Sequence, residues 1–260
     1  AMEIALEVAK QKFCKFEDER EAMEVGIRVG LSYLTLGVVA SPLEGFTKLE
    51  LKKRRDGKKY FALYFSGPIR SAGTTVVCGS VVVADYVRKN MKYEPYDPTN
   101  EEVKRMVTEL YDYHEKVANL QYLPSEEEIE FLVKNLPVQI DGEPSEKYEV
   151  SNYKDLERIN TNMIRNGPCL VLGEAIAQKA AKLWAQLNKW GKDFGLEHWD
   201  FLVKFLEIQK KIKSKGKVQE VKGITPDYTF IKDLVAGRPV LTHPLRKGGF
   251  RLRYGRCRTS

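Results

Sequence analysis

The stretch TKLELKKRRDGKKYFALYFSGPIRSAGTTVVCGSVVVADYVRKN, residues 47–90, decides the fold of this chain. Its first half reads as two strands, 47–54 and 58–65, around Asp56-Gly57, where the glycine tolerates the positive φ of a tight hairpin turn. Residues 72–90 could be a strand pair on valine content alone. However, Val77, Val81, Ala84 and Val87 recur at helical spacing, and the run is longer than a normal strand. The pattern therefore predicts a hairpin that feeds a buried helix.

Helical periodicity extends on both sides. Residues 2–16 carry Ile4, Leu6, Val8, Ala9 and Phe13, and residues 18–39 carry Met23, Ile27, Leu31 and Leu34, with a break near Phe16-Glu17 and a stop at Ser41-Pro42. Downstream, Thr99 with Glu102 and Ser125 with Glu128 form capping boxes that open two further helices, to about Ala118 and to just before Pro137. His114 lies on the apolar stripe of the first and is read as a packed residue. Residues 137–140 and 147–150 read as short strands joined through Asp141-Gly142, with 158–161 as a third. Gly167-Pro168 opens a long helix to Trp190, and helices follow at 197–213 and 227–235. The expected class is α+β, predominantly helical: a bundle of helices with a β-hairpin and small antiparallel sheet elements. Three parts are expected: N-terminal helices at 1–45 with apolar faces suited to self-association, a main α+β domain at 46–245, and a basic strip at 246–260.

The basic strip holds most of the net charge. RKGGFRLRYGRCR, residues 246–258, contains Arg246, Lys247, Arg251, Arg253, Arg256 and Arg258 and no acid, against a net charge of +7 for the whole chain. Such a local cationic run suits a polyanion, most often nucleic acid. In an extended strand Phe250, Leu252 and Tyr254 would face one side, and Arg251 and Arg253 the other. The chain stops at Thr259-Ser260 directly behind this strip, which reads as an interrupted polypeptide.

Two further groups are candidate phosphate contacts. Lys52, Lys53, Arg54, Arg55, Lys58 and Lys59 crowd the hairpin tip, either as a solvated loop protecting a sheet edge or as a phosphate contact. In FSGPIRSAGTT, residues 65–75, Gly67, Pro68 and Gly73 bracket Arg70 and Ser71 just before a helix. Unpaired amides and a partial positive charge at a helix start suit a phosphate. The other reading is that Ser71 caps the helix and Arg70 pairs with an acid. Residues 101–130, with nine acids against Lys104, Arg105 and Lys116, form an anionic span that should avoid DNA.

Catalytic patterns are not apparent. Two-metal phosphoryl transfer needs carboxylates that bridge both ions, and no Asp-x-Asp occurs. Asp141 and Glu143 sit in a turn where acids are favoured for local reasons. Cys14, Cys78, Cys169 and Cys257 are scattered, as are His114, His198 and His243, so neither a zinc site nor a disulfide framework is expected. The longest apolar stretch, 25–40, includes Arg28 and falls short of the roughly 20 residues of a membrane span.

Four blocks carry a family resemblance: FSGPIRSAGTT (65–75), VADYVR (83–88), VQIDGEPSEKYEVSNYKDLERINTNMIRNGPCLVLGEAIAQKA (138–180) and RPVLTHPLRKGGFRLRYGR (238–256). Together they resemble the N-terminal region of the large subunit of the archaeal family D DNA polymerases, over essentially all of 46–258. Where that family usually reads S-A-G-G-T this chain has Thr74, and Val76, Val77 and Cys78 replace its usual Ala and Leu residues. The resemblance implies a heterodimeric replicative polymerase of the cytoplasm and nucleoid. Its large subunit synthesises DNA with magnesium at aspartates much further along, and its small metallophosphoesterase-type subunit supplies 3′–5′ exonuclease. It also implies that residues 1–260 are a non-catalytic accessory region, with DNA, the small subunit and the rest of the large subunit as partners. Two roles remain open for this region: DNA binding through the basic strip, or assembly or homodimerisation without DNA contact.

Overall fold

The computed structural model describes residues 1–35 and 40–218. Two compact units are distinguished, Ala1–Lys210 and Lys211–Ser260. Residues 246–258 and the expected helix at 227–235 lie outside the described residues.

The N-terminal helices are shorter than their apolar periodicity suggests. Helix α1 (Met2–Ala9) stops before Gln11, which takes a positive φ of 57°. Helix α2 (Glu19–Leu34) starts where the Asp18 carboxylate accepts the Glu21 amide at 2.6 Å. The two approach closely because Gly26 has no side chain: a Cβ there would lie 2.4 Å from the Ala5 carbonyl oxygen. Pro42 does not end a helix. It sits in the first turn of a short helix α3 (Ala40–Gly45), where its missing amide hydrogen costs nothing.

Strand β1 (Phe46–Lys53) pairs antiparallel with β2 (Lys59–Phe65), and Gly57 turns the hairpin with φ 83°. Beyond Lys59, every β2 residue from Tyr60 to Phe65 is buried. Such an unbroken apolar run belongs to a central strand covered on both faces. Its other neighbour is β3 (Gln139–Asp141), which runs parallel to β2 and not antiparallel as the short strand pair at 137–150 suggested. The 147–150 and 158–161 segments form no strand, and only a Glu149–Met163 bridge remains there. Around that bridge the Val150 amide bonds the Asn162 carbonyl at 2.9 Å and the Ile164 amide the Tyr148 carbonyl at 2.8 Å, too few bonds for a ladder, and arginines and carboxylates hold the rest of the segment.

A 3-10 turn (Gly67–Ala72) leads into helix α4 (Thr74–Asn90), so helical spacing outweighs the valine content. Helices α5 (Asn100–Lys116) and α6 (Glu126–Asn135) both carry the expected capping boxes with both reciprocal hydrogen bonds formed. The long helix near Trp190 is composite: α7 (Asn166–Cys169), a π-helical stretch Leu170–Ala177, and α8 (Gln178–Trp190). The Ala177 carbonyl accepts Gln209 Nε2 at 3.0 Å, an outside partner of the kind a π stretch needs. A 3-10 turn (Glu197–Asp200) precedes α9 (Phe201–Val218). The described part of the chain is therefore α+β and predominantly helical, and no described helix is long and apolar enough to cross a membrane.

One buried carboxylate clips the C-terminal turns to α4. Asp85, fully buried, accepts from Trp199 Nε1 at 2.8 Å, from Arg88 Nε at 2.8 Å, and lies 2.6 Å from His198 Nε2. Burial alone would raise its pKa. Bonding to His198 and the charge of Arg88 outweigh this and hold the carboxyl below its ordinary value. A depressed folded-state pKa stabilises the fold above the unfolded value, near pH 4, and that stability is lost as pH falls through the folded value. Thermal melts between about pH 6 and about pH 2 should therefore steepen toward acid, and Asp85→Asn should flatten that descent while lowering Tm at neutral pH.

Candidate functional site

Three chain segments cross at the ends of β2 and β3 and the start of α7. Glycine permits the crossing. A Cβ on Gly167 would lie 2.0 Å from the Phe65 carbonyl oxygen, one on Gly142 would lie 2.8 Å from the same oxygen, and one on Gly67 would lie 3.0 Å from Asn166 Nδ2.

A buried ion network holds the crossing. Arg165, 1% exposed, bonds Glu109 through its amide at 2.7 Å, through Nε at 2.9 Å and through a terminal nitrogen at 2.6 Å, and its other terminal nitrogen meets Asp141. Asp141 also accepts Lys52 Nζ at 2.7 Å. Arg105, fully buried one helical turn before Glu109, bonds it at 3.2 Å and donates to the carbonyls of Tyr153, Thr161 and Met163. The irregular 142–165 segment is thus secured by one arginine of α5 and by two of its own, Arg165 and Arg158, the latter bonded to Asp97 and Glu102. Burial pushes Asp141 up, but the charges of Arg165 and Lys52 and the Gly142 amide outweigh this and leave it below the carboxylate range. Burial likewise lowers Arg165, yet Glu109 and Asp141 leave it above its ordinary value.

This network does not fit magnesium. The ion needs carboxylate oxygens it can share with water, whereas the oxygens of Asp141 and Glu109 are each occupied by arginine, lysine or a backbone amide. Among the described residues, no group of three or more His, Cys, Asp or Glu is placed to hold a metal. The network can fix geometry, and it offers no free nucleophile or base.

The candidate phosphate contacts divide. Arg70 pairs with Glu174 at 2.9 Å, and the same carboxylate oxygen accepts the Gln121 amide at 2.8 Å. Ser71 is exposed and caps nothing; the residue before α4 is Gly73, with φ 82° and nothing within 4 Å of a notional Cβ. Gly73 is thus needed for its backbone angle, while Thr74 is an ordinary first helical residue. At the hairpin tip Arg54 faces Glu94 at 3.4 Å and Arg55 bonds Asp97 at 3.1 Å, whereas Lys53 is exposed. Lys52, counted with the tip in the sequence, is 11% exposed and points inward to Asp141. The loop arginine is thus engaged by Glu174 and the tip arginines by Glu94 and Asp97, and residues 246–258 lie outside the described residues.

Sequence reasoning missed Glu109, Arg105, Arg165 and Glu174. A signal existed for one pair: Arg105 and Glu109 stand four apart on α5. The span 101–130 is also less anionic in space than in sequence, since Glu102, Glu109, Asp112 and Glu128 are buried. Glu102 faces Arg158 at 2.5 Å, and Glu109 faces Arg165. His114 is a packed residue whose Nδ1 accepts the Leu120 amide at 3.0 Å.

Comparison with known proteins matches residues 1–208 to the family "DNA polymerase II large subunit DP2, N-terminal" and residues 213–260 to "DNA polymerase II large subunit DP2, central domain". The DNA polymerase II large subunit of Nanoarchaeum equitans is 47% identical over 94% of this chain and 22% of its own length. That of Methanosarcina barkeri is 46% identical over 100% of this chain and 22% of its own. That of Archaeoglobus fulgidus is 45% identical over 99% and 21%. The chain thus spans about a fifth of the length of these curated relatives.

Proposed function

The chain belongs to the DNA polymerase II large subunit family, and from that premise we propose that it is an accessory region of a heterodimeric archaeal replicative polymerase that binds DNA non-specifically through residues 246–258. Template-directed synthesis, with magnesium, is assigned to the remainder of the large subunit, and 3′–5′ exonuclease to the small subunit. On this reading the N-terminal helices at 1–45 and the accessory domain at 46–245 assemble with those partners, and 246–260 is the basic strip leading on to the core. The enzyme acts in the cytoplasm, on the nucleoid.

The observation that carries this reading is the distribution of charge. Arg54, Arg55, Arg70, Arg105, Arg158 and Arg165 of the body all face carboxylates. Arg246, Lys247, Arg251, Arg253, Arg256 and Arg258 are concentrated in a stretch without one acid. Contributions from Lys53, Arg54, Arg55, Arg70, Ser71 and Gly73 are secondary, because phosphate would have to compete with Glu94, Asp97 and Glu174 for three of them.

The test is fluorescence anisotropy of this chain with single- and double-stranded DNA across a salt series. Replacing Arg251, Arg253, Arg256 and Arg258 with alanine should flatten log K against log salt by about 0.9 per lost contact on duplex and about 0.7 on single strands. Unchanged affinity and slope would remove the strip as the DNA contact. The second reading, assembly or homodimerisation without DNA, draws on the exposed apolar residues Tyr33 and Leu34 at the end of α2. Light scattering that finds only monomer at high micromolar concentration would exclude the homodimer.

A further inference from the structure

A groove of about 470 Å³ opens between α1, the end of α2, α4 and α8. Its walls include Met2, Leu34, Val76, Leu183 and Trp190, and Lys179 and Lys182 line it from α8. Leu34 is 44% exposed. Lys179 and Lys182 stand three apart, on one side of the helix, and neither has a carboxylate partner among the described residues. The volume lies within the range of binding clefts.

Apolar walls with two lysines on the α8 side, against the single acid Glu3 on the α1 side, fit one kind of occupant: a segment with apolar anchors at helical spacing whose flanking acids meet the lysines. A nucleic acid strand would leave the apolar walls poorly used. The source follows from length. The relatives are several times longer than this chain, and a segment of the same polypeptide reaches the groove at an effective concentration an unlinked protein does not match. We propose that the groove seats an apolar, acid-flanked segment of the same large subunit from beyond residue 260. This rests on the reading of the chain as part of a longer large subunit.

Zero-length carbodiimide coupling, which joins a lysine amine directly to a carboxylate, tests the proposal in the full two-subunit enzyme. Large subunits carrying ¹⁴N and ¹⁵N are mixed before assembly so that links within one copy are distinguishable from links between copies. The expected result is an amide between Lys179 or Lys182 and an Asp or Glu beyond residue 260 of the same copy. That link should be lost in Leu183→Glu, which puts a carboxylate into the apolar wall, and weakened in the milder Lys182→Glu. Circular dichroism should show an unchanged helical signal in both. Links to the small subunit or to a second copy, no link beyond residue 260, or a link that persists in Leu183→Glu would overturn the proposal. None of these outcomes alters the salt series, so the DNA-binding reading stands or falls separately.

Discussion

Glu109→Ala should destabilise this chain by about 3–5 kcal/mol, the cost of breaking a buried ion pair by removing one partner. Two buried guanidinium groups, Arg105 and Arg165, would lose their shared carboxylate in the interior of the molecule. Set against a typical domain stability of about 5–15 kcal/mol, that loss is large. Glu109→Gln keeps the shape and removes the charge, so a comparable loss there assigns the effect to electrostatics and not to a cavity. Lys104→Ala and Lys134→Ala remove half-exposed lysines that pair with Glu130 and should each lower the midpoint far less, because solvent screens such pairs. Urea denaturation followed by tryptophan fluorescence gives all four values. A Glu109→Ala midpoint no lower than that of the surface variants would show that the network does not hold the crossing together.

Removal of Glu109 should also loosen a particular part of the chain. The 142–165 segment contains no strand, and its ties to α5 run through Arg105 to three carbonyls, through Arg165 to Glu109, through Arg158 to Glu102, and through the Ser151 amide and hydroxyl to Asp112. Amide hydrogen exchange should accelerate there before it does in β2.

This dependence on side chains explains which parts of the molecule the sequence discloses. The hairpin, α4, and the capped starts of α5 and α6 follow rules that act over a few residues: a turn glycine, a 3.6-residue period, a reciprocal cap. All are readable locally, and all are present. The 142–165 segment follows partners that are distant in sequence. Arg165 meets Glu109 across 56 positions, and Lys52 meets Asp141 across 89. Periodicity carries no information about such pairs, so residues 147–150 and 158–161 looked like strands and Asp141 looked like a solvent turn. The parallel pairing of β3 was hidden for the same reason, because a three-residue strand has no register of its own. The charge count misled in the opposite direction: acids and arginines that looked like surface features neutralise one another inside.

Gly167→Ala should be the most damaging glycine substitution at the crossing, at about 3 kcal/mol or more, at or above the upper end for overpacking. A methyl there would sit 2.0 Å from the Phe65 carbonyl oxygen and 2.3 Å from its carbon. Both atoms belong to the end of the fully buried central strand, so no flexible side chain can give way, and α7 must retreat. Gly57→Ala, at the open hairpin tip with φ 83° and nothing within 4 Å, carries only the strain of its backbone angle, about 1–2 kcal/mol. Gly191→Ala, with φ −59° and ordinary contacts from 3.6 Å outward, should be neutral or stabilising by up to about 1 kcal/mol. The order of the three urea midpoints tests whether the Asn166-Gly167-Pro168 turn is glycine-bearing for close packing. Retreat of α7 would carry Arg165, two residues upstream, away from Glu109 and Asp141. Gly167→Ala and Glu109→Ala should therefore be strongly non-additive, the double variant losing less than the sum of the singles, as expected when two changes disable one network. Additive losses would mean that the steric crossing and the ion network stabilise the fold independently.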